Sequence, residues 1–110
     1  MVATYVADVL LEAGFLVAGV ASTASEAMSL AAARPCNLAL VDIRLPGPQD
    51  GIDIAGELRR RFGIGAIFLS GTSDPDHIAR AKRVSPYGFL QKPFLPEALV
   101  EVVARVVASR

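Results

Sequence analysis

The chain has 110 residues, 53% of them hydrophobic and 20% charged, with 11 acidic and 11 basic residues and no net charge. That length suits one small domain with a sizeable core, and the composition excludes a disordered chain. The even charge balance speaks against nucleic acid or an anionic membrane as a partner.

The single cysteine, Cys36, excludes an internal disulfide framework and a cysteine-based zinc site. Its place just before an apolar run predicts a buried structural thiol. Mean hydropathy is high, at +0.46. Yet Asp8 and Glu12 interrupt the first apolar stretch, and Glu101 and Arg105 the last, so neither is a membrane span. The N-terminus has no basic segment of the kind that opens a secretory signal. A cytoplasmic location is the expectation.

Met1 to Ala13 carries Val2, Val6, Val9, Leu10 and Ala13 at helical spacing, with Gly14 as a stop. Phe15 to Ala21 predicts a short buried strand. Thr23 and Glu26 have the spacing of a capping box for a helix running to about Ala33, ended by Pro35. Asn37 to Val41 is a nearly continuous apolar strand that delivers Asp42. Such runs suit strands buried on both faces of a parallel sheet. Leu45 to Gly51, with two prolines and two glycines, is loop.

A helix follows from about Ile52 to Phe62. Arg59, Arg60 and Arg61 in its last turn complement the helix dipole as a solvated end. Gly65 to Leu69 is a buried strand ending at Ser70. Asp74 and Pro75 open a short helix. Tyr87 to Gln91 is a strand ending at Lys92-Pro93, and Pro96 to Ala108 is the closing helix. Strict alternation of helix and strand predicts an α/β domain, a doubly wound parallel sheet with helices on both faces.

Asp42, Ser70 and Lys92 stand at the C-terminal ends of three predicted strands, each separated by about one helical crossover. In open α/β sheets that edge binds ligands. A carboxylate can be a nucleophile toward phosphorus, a hydroxyl can donate to a phosphoryl oxygen, and an ammonium can neutralise the added charge. Taken singly, each residue has an ordinary reading: Asp42 as a cap, Ser70 as a turn residue, Lys92 as a solvated surface lysine. Their joint placement favours a site that accepts and senses a phosphoryl group.

The stretch Leu40-Val-Asp-Ile-Arg-Leu-Pro-Gly47, together with Asp50-Gly51, Phe68-Leu-Ser-Gly71 and Phe89-Leu-Gln-Lys-Pro-Phe94, resembles the bacterial response-regulator receiver domain over essentially the whole chain. The resemblance implies a flavodoxin-like five-stranded sheet of order 2-1-3-4-5. It implies Asp42 as phosphoacceptor, Ser70 as the switch hydroxyl, Lys92 as charge partner and Phe89 as the aromatic switch. It also implies a cis Lys92-Pro93 bond and magnesium held by Asp42 and the backbone carbonyl of Arg44. The implied partner is a histidine kinase or phosphotransfer protein.

Phe89 also reads as an ordinary buried strand aromatic, Phe94 as core packing, and the lone His77 as a solvated or capping residue. The family begins with a strand followed by an acidic pair that binds magnesium, whereas this chain opens inside what looks like the first helix. Residues 1–110 thus read as a single, N-terminally incomplete receiver domain, apparently without its first strand and with no output domain. Two expectations follow. Magnesium binding is weak and phosphorylation impaired, and unpaired strand edges favour a homodimer or strand-swapped dimer.

Two other functions compete. A phosphorylation-independent interaction or dimerisation module is the alternative that the missing acids support. An aspartate-nucleophile phosphatase of the haloacid-dehalogenase type needs a second Asp where Arg44 stands, and no glycine-rich phosphate loop is present, so an enzyme is not expected.

Overall fold

A computed structural model describes residues 2–17, 19, 21, 23–43, 50–71, 75–84 and 86–108, and the side chains of all of these but 2–5 and 77. Helix α1 spans Val2–Glu12 and α2 spans Ala24–Ala33. Strand β1 (Leu38–Asp42), helix α3 (Gly51–Phe62), strand β2 (Gly65–Ser70) and helix α4 (Pro75–Lys82) follow. Strand β3 (Gly88–Gln91) and helix α5 (Pro96–Ala108) complete the order. The three strands form one parallel sheet, β1-β2-β3.

Strand β2 is central and buried along its whole length. Its continuous apolar run has a simple cause, because both of its faces are covered. Ile67 and Leu69 pack with Val6 and Leu10 of α1 and Leu99 and Val103 of α5. Ala66 and Phe68 point the other way, onto Ile52 and Ala55 of α3 and Ala81 of α4. Strand β1 alternates in the same sense, with Leu38 and Leu40 on the α1–α5 side and Ala39 and Val41 on the α3 side. The layers are therefore helix, sheet, helix. Helix α2 has no buried residue of its own. It lies outside α3, its Ala27, Met28 and Ala31 packing on Ile54, Leu58 and Ile64.

Two helix starts are visible in atomic detail. Thr23 Oγ1 accepts from the Glu26 amide at 3.2 Å, and its hydroxyl donates to Glu26 Oε1 at 3.3 Å. The reciprocal capping box forms at α3, where Asp50 accepts from the Asp53 amide and Asp53 accepts from the Asp50 amide. Helix α3 stops at Gly63, whose φ of +69° favours glycine. Arg59, Arg60 and Arg61 are exposed in its last turn, Arg61 pairing with Glu57 at 3.3 Å.

One predicted strand is corrected. The described residues of Phe15–Ala21, namely 15–17, 19 and 21, form no strand. Phe15 and Val17 pack on the α1–α5 cluster while Leu16 is 100% exposed. A strand exists only through a ladder neighbour, and among the described residues this segment has none. The sheet accordingly has three strands among the described residues, not the five that the resemblance implies. Among the described residues strand β1 is an edge, and most of its residues are half-buried where all of β2 is buried. The last strand starts at Gly88, one residue later than expected, although the Tyr87 amide already donates to the Ala66 carbonyl at 2.7 Å.

Cys36 is also corrected. It is half-buried, its thiol donating to the Arg34 carbonyl at 3.4 Å, because it packs on the α3 cluster together with α2, none of whose residues is itself buried.

Candidate functional site

The three strands end within one residue of one another in the register. Asp42 lies opposite Leu69, and Ser70 opposite Gln91, in the parallel register. The expected residues Asp42, Ser70 and Lys92 therefore stand at the end of β1, the end of β2 and just past β3. The Lys92 amide donates to the Ser70 carbonyl at 2.7 Å, which extends the β2–β3 ladder by one step. The lysine stem then passes beside Gly71, and Nζ donates to Asp42 Oδ2 in a part-buried ion pair. Ser70 is 4% exposed, the one polar residue buried among the described residues. The Lys92-Pro93 peptide bond is cis.

The main chain beyond Asp42 is pinned from two directions. The Ile43 amide donates to the Leu69 carbonyl at 3.1 Å, and its carbonyl accepts from the Gly51 amide at 2.9 Å. The Ile43 side chain is 1% exposed and anchors that point in the core. Gly51 opens α3 against Asp42, where a Cβ would stand 1.8 Å from the Asp42 carbonyl oxygen. Only glycine permits so close an approach.

Phe89 is half-buried in β3, its ring centroid 5.7 Å from that of Phe68 at a tilt of 32°. Phe94 packs on the α1–α5 cluster, as core packing requires. Arg44 and the His77 side chain lie outside the described residues, so their expected roles stay with the sequence.

Asp53 and Arg80, not singled out from sequence, join Asp50 of the Asp50-Gly51 motif at the start of α3. Arg80 of α4 donates to Asp50 Oδ2 at 2.9 Å and to Asp53 Oδ1 at 3.4 Å. Burial raises the Asp50 carboxyl pKa. The Asp53 amide, the Arg80 hydrogen bond and the Arg80 charge outweigh that and hold it below its ordinary value. The sequence signal for the cap was Asp50-x-x-Asp53, a variant of the more familiar Ser/Thr-x-x-Glu pattern. For Arg80 there was no sequence signal, since it meets its partners only through the packing of α4 on α3.

The magnesium that the resemblance implies finds few donors here. Among the described residues no three acidic, histidine or cysteine side chains gather into a metal site. Asp42 brings one carboxylate, and Lys92 already pairs with its Oδ2. Magnesium demands near-octahedral oxygen ligation. The described side chains do not fit a tight magnesium site. What they provide is a carboxylate at the C-terminal edge of the sheet, with a cation beside it and a hydroxyl on the neighbouring strand.

Comparison with known proteins agrees with this architecture. The family model for the response regulator receiver domain matches residues 1–104. The chain is 29% identical over 102 residues to the transcriptional regulatory protein PdtaR of Mycobacterium tuberculosis, covering 93% of this chain and 49% of that protein. It is 32% identical over 96 residues to the phyllosphere-induced regulator PhyR of Methylorubrum extorquens, covering 86% of this chain and 35% of that protein. It thus spans about half or less of the length of these relatives. Among solved structures, the signal receiver domain of a modulated diguanylate cyclase from Desulfovibrio desulfuricans G20 superposes with a TM-score of 0.89. That pair is 32% identical, with 97% of this chain and 85% of that one covered. The receiver domain of the putative response regulator NarL from Mycobacterium tuberculosis gives 0.84 at 27% identity, covering 97% and 87%. With the parallel sheet, the strand-end residues and a family match across nearly its whole length, the chain belongs to the response regulator receiver domains, the flavodoxin-like signalling modules of two-component systems.

Proposed function

We propose that Asp42 accepts a phosphoryl group from a histidine kinase or phosphotransfer protein and that the domain signals through the resulting change in its surface. A carboxylate oxygen of Asp42 attacks phosphorus, an O–P bond forms, and the N–P bond to the donor imidazole breaks. Lys92 offsets the charge that arrives, and the Ser70 hydroxyl donates to a phosphoryl oxygen once it is bound. Phe89 is the aromatic whose packing on Phe68 would change. The observation that carries this reading is the Lys92–Asp42 ion pair at the C-terminal edge of the sheet. Catalysis in this reading is confined to the domain's own phosphorylation and dephosphorylation, in the cytoplasm, by residues 1–110 as one receiver domain.

Receiver domains generally use magnesium, and the sparse donor set here favours a second reading, a phosphorylation-independent interaction module. The outer side of β1, which has no strand partner among the described residues, supports pairing of two copies in that case, which a solution mass of one chain would refute. Intact mass after treatment with acetyl phosphate, with and without magnesium and beside Asp42→Asn, separates the two readings. Gain of one phosphoryl group that is lost in the variant supports the acceptor reading. No gain in the parent chain overturns it.

Among the described residues no helix is long and apolar enough to cross a membrane.

A further inference from the structure

The Asp42 main chain is attached to α3 rather than merely near it. The Gly51 amide bonds to the Ile43 carbonyl at 2.9 Å, and the Gly51 α-carbon lies against the Asp42 carbonyl with no room for a methyl group. Any shift of the first turn of α3 therefore moves the backbone that carries the Asp42 carboxylate.

That first turn is held by two carboxylates whose oxygens are divided between two tasks. Asp50 Oδ1 accepts from the Asp53 amide at 3.0 Å, and Asp53 Oδ2 accepts from the Asp50 amide at 3.4 Å. The remaining oxygens, Asp50 Oδ2 and Asp53 Oδ1, both take the guanidinium of Arg80. The planar fork of arginine suits two acceptors at once, which an ammonium does not. Arg80 comes from α4, the helix that follows the Ser70 strand. The pairs Arg61–Glu57 and Arg105–Glu101 join residues of a single helix, and so cannot link elements. As a part-exposed pair, Arg80 contributes little to overall stability. Its consequence is positional.

We infer that Arg80 is a positioning residue for Asp42, linking α4 to the acceptor backbone through Asp50, Asp53 and Gly51. This rests on the reading of Asp42 as the acceptor. Coupling of this kind is reciprocal, so a change at Asp42 is also felt in α4.

Amide hydrogen exchange on the whole chain tests it without any need for phosphoryl transfer. Arg80→Ala is expected to speed exchange of the Ile43 and Gly51 amides by about five- to tenfold, in the ordinary range for coupled sites. The Ile67 and Phe68 amides of β2 should not change. Arg80→Lys, which keeps the charge and loses the fork, should restore part of the protection and also serves if the alanine variant folds poorly. Arg61→Ala should have no effect. Asp42→Asn should alter exchange within α4, and that effect should vanish in the Arg80→Ala background, which a merely stabilising Arg80 would not produce.

Unchanged protection of Ile43 and Gly51 in both Arg80 variants would overturn the inference, as would an equal effect of Asp42→Asn in both backgrounds. Failure of phosphoryl uptake by the parent chain removes the acceptor reading alone, because the exchange measurements register the linkage independently.

Discussion

The α-carbon of Gly51 abuts the carbonyl of Asp42 so closely that a methyl group there would lie 1.8 Å from the oxygen. Backbone faces backbone at this point, so neither side can yield by rotating a side chain. Gly51→Ala is expected to destabilise the domain by about 3 kcal/mol, at the upper end of overpacking costs. Gly63→Ala faces open space and carries only the left-handed backbone penalty, about 1–2 kcal/mol. Urea unfolding of the two variants side by side checks the order, and equal costs would show that α3 can move away from Asp42.

Asp50 makes part of the stability depend on pH. Its folded pKa is lowered, so its contribution is complete above the ordinary value of 3.8 and is lost as pH falls through the lowered folded value. Asp50→Asn keeps an oxygen for the cap and loses the charge that pairs with Arg80. The gap in urea midpoint between parent and variant should hold steady from about pH 7 to 5 and shrink below the carboxylate range. A gap that persists unchanged at about pH 3 would show that the cap, not the charge, carries the effect.

Core and surface apolar residues should differ sharply. Phe68 is 0% exposed, and Phe68→Ala is expected to cost about 3–5 kcal/mol. Leu16 is fully exposed, and Leu16→Ala should fall within about 0.5 kcal/mol of the parent. A large cost at Leu16 would reveal a partner on that segment, which a comparison of dilute and concentrated samples would identify as a second copy.

Phosphoryl uptake should be slow in this chain. The described residues gather no metal-binding cluster, and the one carboxylate at the site is shared with Lys92. Raising magnesium should therefore increase the yield of phosphorylated chain only weakly in an intact-mass time course. Saturation at low magnesium would refute the weak-site expectation.

The strands and helices that formed as expected are those whose patterns are local. The apolar run at Gly65–Ser70 reads as a strand because both of its faces are covered, and the Thr23 cap because its oxygen reaches the Glu26 amide within one turn. The strand ends are as legible, since a polar residue after an apolar run marks the sheet's edge. That is why Asp42, Ser70 and Lys92 could be picked out together. Phe15–Ala21 has the same local character, yet its described residues form no strand. Pairing is a property of two segments, and its apolar pattern carries no information about whether a neighbour is there.

What the sequence determined by itself was the α/β class, the family and the strand-end residues, because periodicity and short motifs are written in neighbouring positions. The tertiary structure alone decided that Lys92 reaches Asp42 across β2, that Gly51 is locked onto the Asp42 carbonyl, and that Arg80 bridges two carboxylates of another helix. Those contacts join residues far apart in the chain, or backbone to backbone. Their existence depends on how helices and strands pack, which no local pattern of residues encodes.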